Sequence, residues 1–410
     1  MTEAGQTQCC IVGGGPSGLM LAVLLARAGC RVAVLEKHAD FLRDFRGDTI
    51  HPSTLEIMHE LGLLEGLLRL PHQKVAHLSG EFGRRVIPFA DFSHLPVHAP
   101  YIALMPQWDF LNFLAADGQR HAGFHLMMQR EATGLIETEG RVTGVRWRSP
   151  SGPGEVRAPL VIAADGRHSV LREAAGLEVR DLGAPIDVLW FRLSRQRQDS
   201  AETMGRFLPG GIAVTINRGD YWQCAYVIPK GGIERVKAQG LPALRARISR
   251  VVPFGRARAE EVDTWDKVKL LTVKVDRLVR WYKPGLLCIG DAAHAMSPIG
   301  GVGINLAVQD AVAAANLLHG AIRETRVATS DLARVQQRRL FPTRVTQALQ
   351  LMIQNNVIAP TLTASGEMKV PLVARLLASW PWLRRIPARV LGLGVRPEHV
   401  AAELRAAAPR

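Results

Sequence analysis

Glycines at positions 13, 15 and 18 carry the sharpest chemistry in this chain. They follow Cys9-Cys10-Ile11-Val12, which reads as a short buried strand. They precede an apolar run from Leu19 that reads as a helix. In the order Gly13-x-Gly15-x-x-Gly18 each glycine has its own task. The first lets the chain turn tightly out of the strand. The second leaves bare backbone against which a pyrophosphate can sit. The third lets the helix close on the strand. Ser17 lies in the same turn, and the N–H groups opening the helix face the phosphates. Glu36 ends the next strand, within residues 31–37, and can accept hydrogen bonds from both hydroxyls of an adenosine ribose. An acid there disfavours a 2′-phosphate. The whole reads as a dinucleotide cradle, and it does not by itself separate FAD from NAD.

Two later stretches narrow the choice. Residues 160–172 (LVIAADGRHSVLR) run from a buried strand into Asp165-Gly166, with a helix beginning near Ser169. Residues 286–305 (LLCIGDAAHAMSPIGGVGIN) run from a buried strand into Gly290-Asp291 and then a glycine-rich loop. An acid at such a strand end can bond a polyol such as the ribityl chain of a flavin. Pro298-x-Gly300-Gly301-x-Gly303-x-Asn305 brings bare backbone up to a flat ring. The N–H groups opening the following helix then face the flavin N1/C2-oxygen end, where negative charge develops on reduction.

In this order the three motifs resemble the flavoprotein aromatic hydroxylases, the single-component FAD monooxygenases typified by p-hydroxybenzoate hydroxylase. The resemblance spans about residues 8–320. It implies that the first motif holds the ADP portion of FAD. It implies that Asp165, Gly166 and Arg172 contribute to both FAD and NAD(P)H binding, and that Gly290 and Asp291 hold the ribityl. Pro298, Gly300 and Gly301 would form the flavin-ring environment, with Gly303 and Asn305 on the cofactor side and no acid or base assigned. Arg46 matches an arginine that contacts the FAD phosphates, and Gln107 a residue that touches the ribityl. His294 matches a histidine close to the FAD phosphates, in a structural role. The reaction implied is reduction of the flavin by NADPH or NADH, capture of O2 as a C4a-hydroperoxide, and hydroxylation of an aromatic, phenolic or polyketide-like molecule. No second glycine fingerprint exists for the nicotinamide cofactor, so the sequence does not choose between NADH and NADPH.

The elements that must position these residues follow an α/β order. Single strands alternate with helices, and a strand-rich block interrupts them. The expected fold is a Rossmann-like FAD-binding domain carrying an inserted, mostly antiparallel sheet, with a helical C-terminal tail. The flavin domain takes residues 1–71, 101–184 and 267–325. The substrate sheet takes 72–100 and 185–266, and the helical region 326–410. Residues 267–275 read as a strand, 331–358 as one long helix or two, with breaks near Pro360 and Pro371. The substrate pocket is expected between sheet and flavin, with Trp190, Arg192, Phe207, Tyr221, Gln223 and Tyr226 as candidate walls. In residues 220–227 the alternation puts Tyr221 and Gln223 on one face and Tyr226 on the other; only one face can look at the flavin.

Composition excludes several other classes. Across 410 residues 47% are apolar and 21% charged, which argues for a globular chain rather than disorder. Five cysteines form no CxxC pair, so neither a disulfide scaffold nor a Cys-rich metal site is expected. No signal-type basic region precedes Arg27, and a reducing, cytoplasmic setting fits. The net charge of +14 would suit nucleic acid, an anionic membrane or an acidic ligand. No helix-turn-helix, RNA-binding or zinc pattern supports the first. Residues 371–396 mix Leu, Val and Trp with five arginines. Such a stretch can lie on an anionic membrane, although Pro381 and Pro387 interrupt it and a docked structural tail is the alternative. The helix around 331–358 offers a face for the flavin domain or for a twin subunit, as in a homodimer. Competing activities are a halogenase, whose WxWxIP motif is missing, a reductase or dehydrogenase of the same superfamily, and a non-enzymatic flavin-binding protein.

Overall fold

The computed structural model describes residues 7–42, 49–200, 202–366 and 370–405. Its first layer is a six-stranded sheet. The strands run in the order Tyr282–Lys283, Leu286–Cys288, Leu160–Ala163, Cys9–Val12, Val32–Leu35, Phe124–Met127. Five of them are parallel and the edge strand Tyr282–Lys283 is antiparallel. The four strands Cys9–Val12, Val32–Leu35, Leu160–Ala163 and Leu286–Cys288 are buried end to end, as a sheet covered on both faces requires. The helices Pro16–Arg27 and Gly303–Arg323 pack on each other and on the sheet, and the meander 131–157 adds Val142, Val145 and Val156 to the same core. Gly303–Arg323 belongs to the helical stretch 299–323, which is long and apolar enough to cross a bilayer; most of its apolar part is buried in this core. The chain leaves the central strand Cys9–Val12 toward Val32–Leu35 and later returns to its other side at Leu160–Ala163. This is the switch point at which open α/β sheets bind ligands.

The inserted layer is a seven-stranded sheet. Its order is Lys269–Leu271, Ile186–Ser194, Tyr221–Pro229, Gly211–Asn217, Met204–Leu208, His77–Phe82, Arg85–Asp91. All pairs are antiparallel except Met204–Leu208 with His77–Phe82. One face packs Leu189, Phe191, Trp222, Cys224 and Tyr226 against Val236, Leu244, Ile248 and Val251 of two short helices. The other face packs Val188, Trp190, Val214, Ala225 and Val227 toward Ile299, Ile358 and Leu362.

Three local expectations change. The strand expected over 267–275 shrinks to Lys269–Leu271, because the Val273 N–H turns away to donate to Asp187 at 2.9 Å. That short strand joins the inserted sheet, which therefore runs past residue 266. The helix expected over 331–358 spans Thr329–Ile353 with Pro342 inside, and continues as a wider turn to Ile358. Pro360 does not break it. It sits in the first turn of Ala359–Thr363, where a missing N–H is harmless.

Candidate active site

The first motif separates glycines that the protein itself needs from one that it does not. Gly13 has φ +106°, and a Cβ there would lie 2.3 Å from the Ala164 carbonyl oxygen. A Cβ on Gly18 would lie 2.0 Å from the Gly13 carbonyl oxygen. On Gly15 a Cβ would meet no atom within 4 Å. The first and third glycines thus hold strand to helix, while the second borders open space at the helix start. Across that space Glu36 is buried. Its Oε2 accepts the Gly14 N–H at 2.9 Å and its Oε1 the His38 N–H at 3.0 Å.

The second and third motifs meet beside it. Ser17 is buried where the first motif touches the third, since a Cβ on Gly290 would lie 2.7 Å from its Oγ. Asp165 is half-buried, and desolvation pushes its carboxyl upward although it accepts N–H bonds from its own turn, Leu171 at 3.3 Å among them. Gly166, at φ +84°, borders open space. Asp291 is partly exposed and faces Arg167 at 3.3 Å. Arg172, expected to reach both cofactors, is buried. Its guanidinium donates to the carbonyls of Ala292 (3.3 Å) and Arg167 (2.7 Å) and to Asp276 (3.4 Å). It braces the second motif against the third, and Arg167 is the guanidinium that reaches Asp291.

The glycine loop is shaped by residues 49–54. Gly300 and Gly301 both take positive φ, at +76° and +63°. A Cβ on Gly301 would lie 2.3 Å from the Thr49 Oγ1, which donates to the Gly301 carbonyl at 2.8 Å. Asn305 clamps the same strands. Its Oδ1 accepts the His51 N–H at 2.8 Å and the Thr54 hydroxyl at 2.7 Å, and its Nδ2 donates to the carbonyls of Thr49 (3.2 Å) and Gly301 (3.3 Å). Gly303, at the start of the next helix, borders open space. Pro298 opens the loop, and Gln107 begins the helix Gln107–Gly118, half-buried. Arg46 lies outside the described residues.

Open backbone at Gly15, the partly exposed acid Asp291 and the glycine loop ending at Gly303 thus follow parallel strands of one sheet. Gly15 and Gly303 are open where a bound FAD needs room, so the residues present fit that group. A family model described as FAD binding domain matches residues 6–349. The chain belongs to this family. It is 33% identical over 395 residues to 6-methylpretetramide 4-monooxygenase of Streptomyces rimosus, covering 95% of this chain and 93% of that one. It is 30% identical over 312 residues to 12-dehydrotetracycline 5-monooxygenase/anhydrotetracycline 6-monooxygenase of Streptomyces rimosus subsp. rimosus, covering 74% of this chain and 60% of that one. Among solved structures, p-nitrophenol 4-monooxygenase PnpA from Pseudomonas putida DLL-E4 superposes with a TM-score of 0.76 at 20% identity, covering 94% of this chain and 97% of that one. The protein is an FAD-dependent monooxygenase.

In this flavoprotein the sheet register decides which candidate walls share a face. Trp190 stands opposite Ala225, and Arg192 opposite Gln223. Val214 and Ile216 continue those two rows on the next strand. Phe207, opposite Ile212, stacks on Phe82 with ring centroids 4.6 Å apart. The Arg192 guanidinium lies over the Tyr221 ring at 4.8 Å, and Arg218 donates to Gln223 at 3.1 Å. Trp190, Arg192, Phe207, Tyr221 and Gln223 therefore share one face. That face packs on Ile299 of the glycine loop and on Leu391 of the tail. Tyr226 faces the opposite way, among the helices.

Two groups escaped the motif reading. Asp310 is fully buried and takes the Gly290 N–H at 3.1 Å, His294 Nε2 at 2.6 Å and Arg339 Nε at 2.8 Å. It is a lone acid in the apolar run Ile304–Ala315, which is a readable signal. His294 accordingly serves the structure of the third motif. His51 is fully buried, and its Nδ1–H donates to the Leu391 carbonyl at 2.7 Å.

Burial lowers the His51 pKa from 6.5 to about 4, so the ring is neutral when folded. The unfolded chain takes up its proton first as pH falls. The stabilisation is full above pH 6.5 and is lost as pH falls toward 4. Between about pH 7 and about pH 5 the wild type is expected to lose about 2 kcal/mol through this residue. His51→Gln should lose correspondingly less, read as denaturant midpoints at each pH. Equal pH dependence would remove His51 as the cause.

Proposed function

We propose that this flavoprotein hydroxylates a polycyclic phenolic molecule of polyketide type, with NADPH or NADH as reductant and O2 as oxidant. The observation that carries the reading is the sheet face that meets the glycine loop. It sets an apolar row, Trp190, Ala225 and Val214, beside a mixed row, Arg192, Gln223 and Ile216, with Tyr221 one row further on beneath the Arg192 guanidinium. An extended aromatic skeleton with oxygens along one edge matches that pairing. The relative that is 33% identical over 93% of its own length is named for a step on 6-methylpretetramide, which supports the same class.

FAD, when bound, supplies hydride acceptance and oxygen activation. The chain's own residues supply position and electrostatics. The Gly13–Gly18 turn and Glu36 hold the ADP end, with Arg46 proposed on its phosphates. Asp291 and Gln107 hold the polyol. The N–H groups opening Gly303–Arg323 would lend partial positive charge to the part of a bound flavin that becomes negative on reduction. Trp190, Val214 and Ile216 exclude water, and Arg192 favours the anionic form of a phenol, which is the electron-rich form that hydroxylation needs.

The test is NAD(P)H oxidation and product analysis across aromatic acids, simple phenols and polycyclic phenols. A polycyclic phenol is expected to raise the rate of flavin reduction about tenfold or more and to yield hydroxylated product. Trp190→Ala should raise KM for it about tenfold, about 1.4 kcal/mol, and divert oxygen to hydrogen peroxide. Stimulation by simple phenols alone would overturn the substrate class. A reduced flavin stable to oxygen would assign a reductase instead.

A further inference from the structure

The end of the chain keeps an apolar face turned outward. Leu372–Ser379, Pro381–Arg384 and Arg385–Gly392 run along the edge strand Arg85–Asp91. Their inner side is fixed. Ala374 packs with Phe82 and Ile87, and Ala388 packs with Phe92 and Leu95. Gly392 fits so closely that a Cβ there would lie 2.8 Å from Leu95. On the outer side Leu372, Val373, Trp380, Trp382 and Ile386 are each more than half exposed, and Val86 of the edge strand is too. Residues 371–396 hold five arginines and no acid. Arg375, Arg385 and Arg389 are exposed among the apolar side chains, and Arg84 and Arg85 are exposed on the adjoining hairpin. Among the described residues the acids flanking the hairpin and the tail are engaged: Asp91 by His77 and His94, Glu81 by Arg206, and Glu398 by Arg338 and Arg339.

Single exposed apolar residues need no explanation, but a cluster rimmed by one sign of charge does. Tryptophan with arginine is the composition of segments that sit at headgroup depth. We propose that this face docks on an anionic phospholipid bilayer, with Trp380, Trp382, Leu372, Val373 and Ile386 among the headgroups and Arg375, Arg385 and Arg389 on the phosphates. Charge decides the occupant. A two-fold contact with a second copy would bring arginine against arginine, which is repulsive, whereas anionic lipid complements every charge on the face. The same tail reaches the substrate-facing side of the sheet proposed above, because the Leu391 carbonyl accepts the His51 Nδ1–H and Leu391 packs with Trp190. Docking there sets that side close to the bilayer, where a lipophilic aromatic substrate concentrates.

The test uses the full-length holoenzyme and extruded vesicles of phosphatidylcholine with or without phosphatidylglycerol. Binding to the anionic vesicles should exceed binding to neutral ones about tenfold or more and weaken as salt rises. Trp380→Ser/Trp382→Ser/Arg375→Gln/Arg389→Gln should lose that binding at least about tenfold while keeping its flavin. The charge-matched control Arg250→Gln/Arg256→Gln, on exposed residues elsewhere, should keep it. Brominated lipids should quench tryptophan fluorescence of the wild type, a readout independent of any variant. No binding, no quenching, or equal loss in both variants would overturn the proposal. So would a wild-type dimer that the tryptophan substitutions dissolve.

Discussion

Gly15→Val is expected to give a folded protein that cannot keep its flavin. Gly15 has φ −80° and ψ −176°, a backbone that valine adopts without strain. A Cβ there meets nothing within 4 Å, so the apoprotein loses no contact. The same volume lies against the helix start where the pyrophosphate must approach bare backbone. The apoprotein should melt within about 1 °C of wild-type apoprotein, a shift of under about 1 kcal/mol. FAD affinity should fall about 100-fold or more, equivalent to about 2.7 kcal/mol. Gly18→Ala is the contrast. Its Cβ would lie 2.0 Å from the Gly13 carbonyl oxygen, so strand and helix must separate. That overpacking costs about 1–3 kcal/mol in the apoprotein itself. Flavin titration and thermal melts of both apoproteins make the comparison. Stoichiometric FAD in purified Gly15→Val would refute the assignment of this turn.

Asp310→Ala is expected to be the most destabilising single change near the site. The carboxylate is fully buried and joins His294, Arg339 and the Gly290 N–H. Removing it leaves a buried guanidinium with Glu398, at 3.3 Å, as its remaining acid. Breaking a buried pair from one side costs about 3–5 kcal/mol, which in a chain of this length lowers the melting temperature by about 4–6 °C. Asp310→Asn should cost less, since it retains an acceptor for Gly290. The pH dependence has a defined sign. Burial pushes the Asp310 carboxyl up, but His294 and Arg339 outweigh it and hold it below its ordinary 3.8. The stabilisation is therefore complete above pH 3.8 and is lost as pH falls further. The gap between wild type and Asp310→Ala should be constant near neutrality and narrow below about pH 4. A variant as stable as wild type would show that water replaces the carboxylate.

The flavin layer was legible because its signals are local. A buried strand, glycines at fixed offsets, a helix and an acid lie within residues 9–36, and the backbone follows them. What stayed hidden depends on contacts far apart in sequence. Arg172 and Asn305 stand in motifs that suggest ligand contact, yet their donors are engaged by carbonyls and side chains up to 256 residues away. Alternation separated Gln223 from Tyr226 but could not say which face the helices 233–251 would cover. The strand over 267–275 was cut short by a buried acid, Asp187, that takes the Val273 N–H. Asp310 belongs to no motif, because its role is to hold one.

Residues 399–405 are tied back to the end of the helix Pro52–Glu60 and to the helix Gly303–Arg323. The Val400 N–H and Arg405 both reach Glu60, and Asn316 bonds residues 399 and 401. With Leu391 on His51, the last described residues complete a loop laid down some 340 positions earlier. The Gly13–Gly18 turn precedes the Leu391 contacts in the order of synthesis. Contacts of such sequence separation form late. A chain truncated before residue 391 keeps the Gly13–Gly18 turn but lacks the Leu391 contacts to His51 and Trp190, and is expected to hold the ring end of the flavin less firmly.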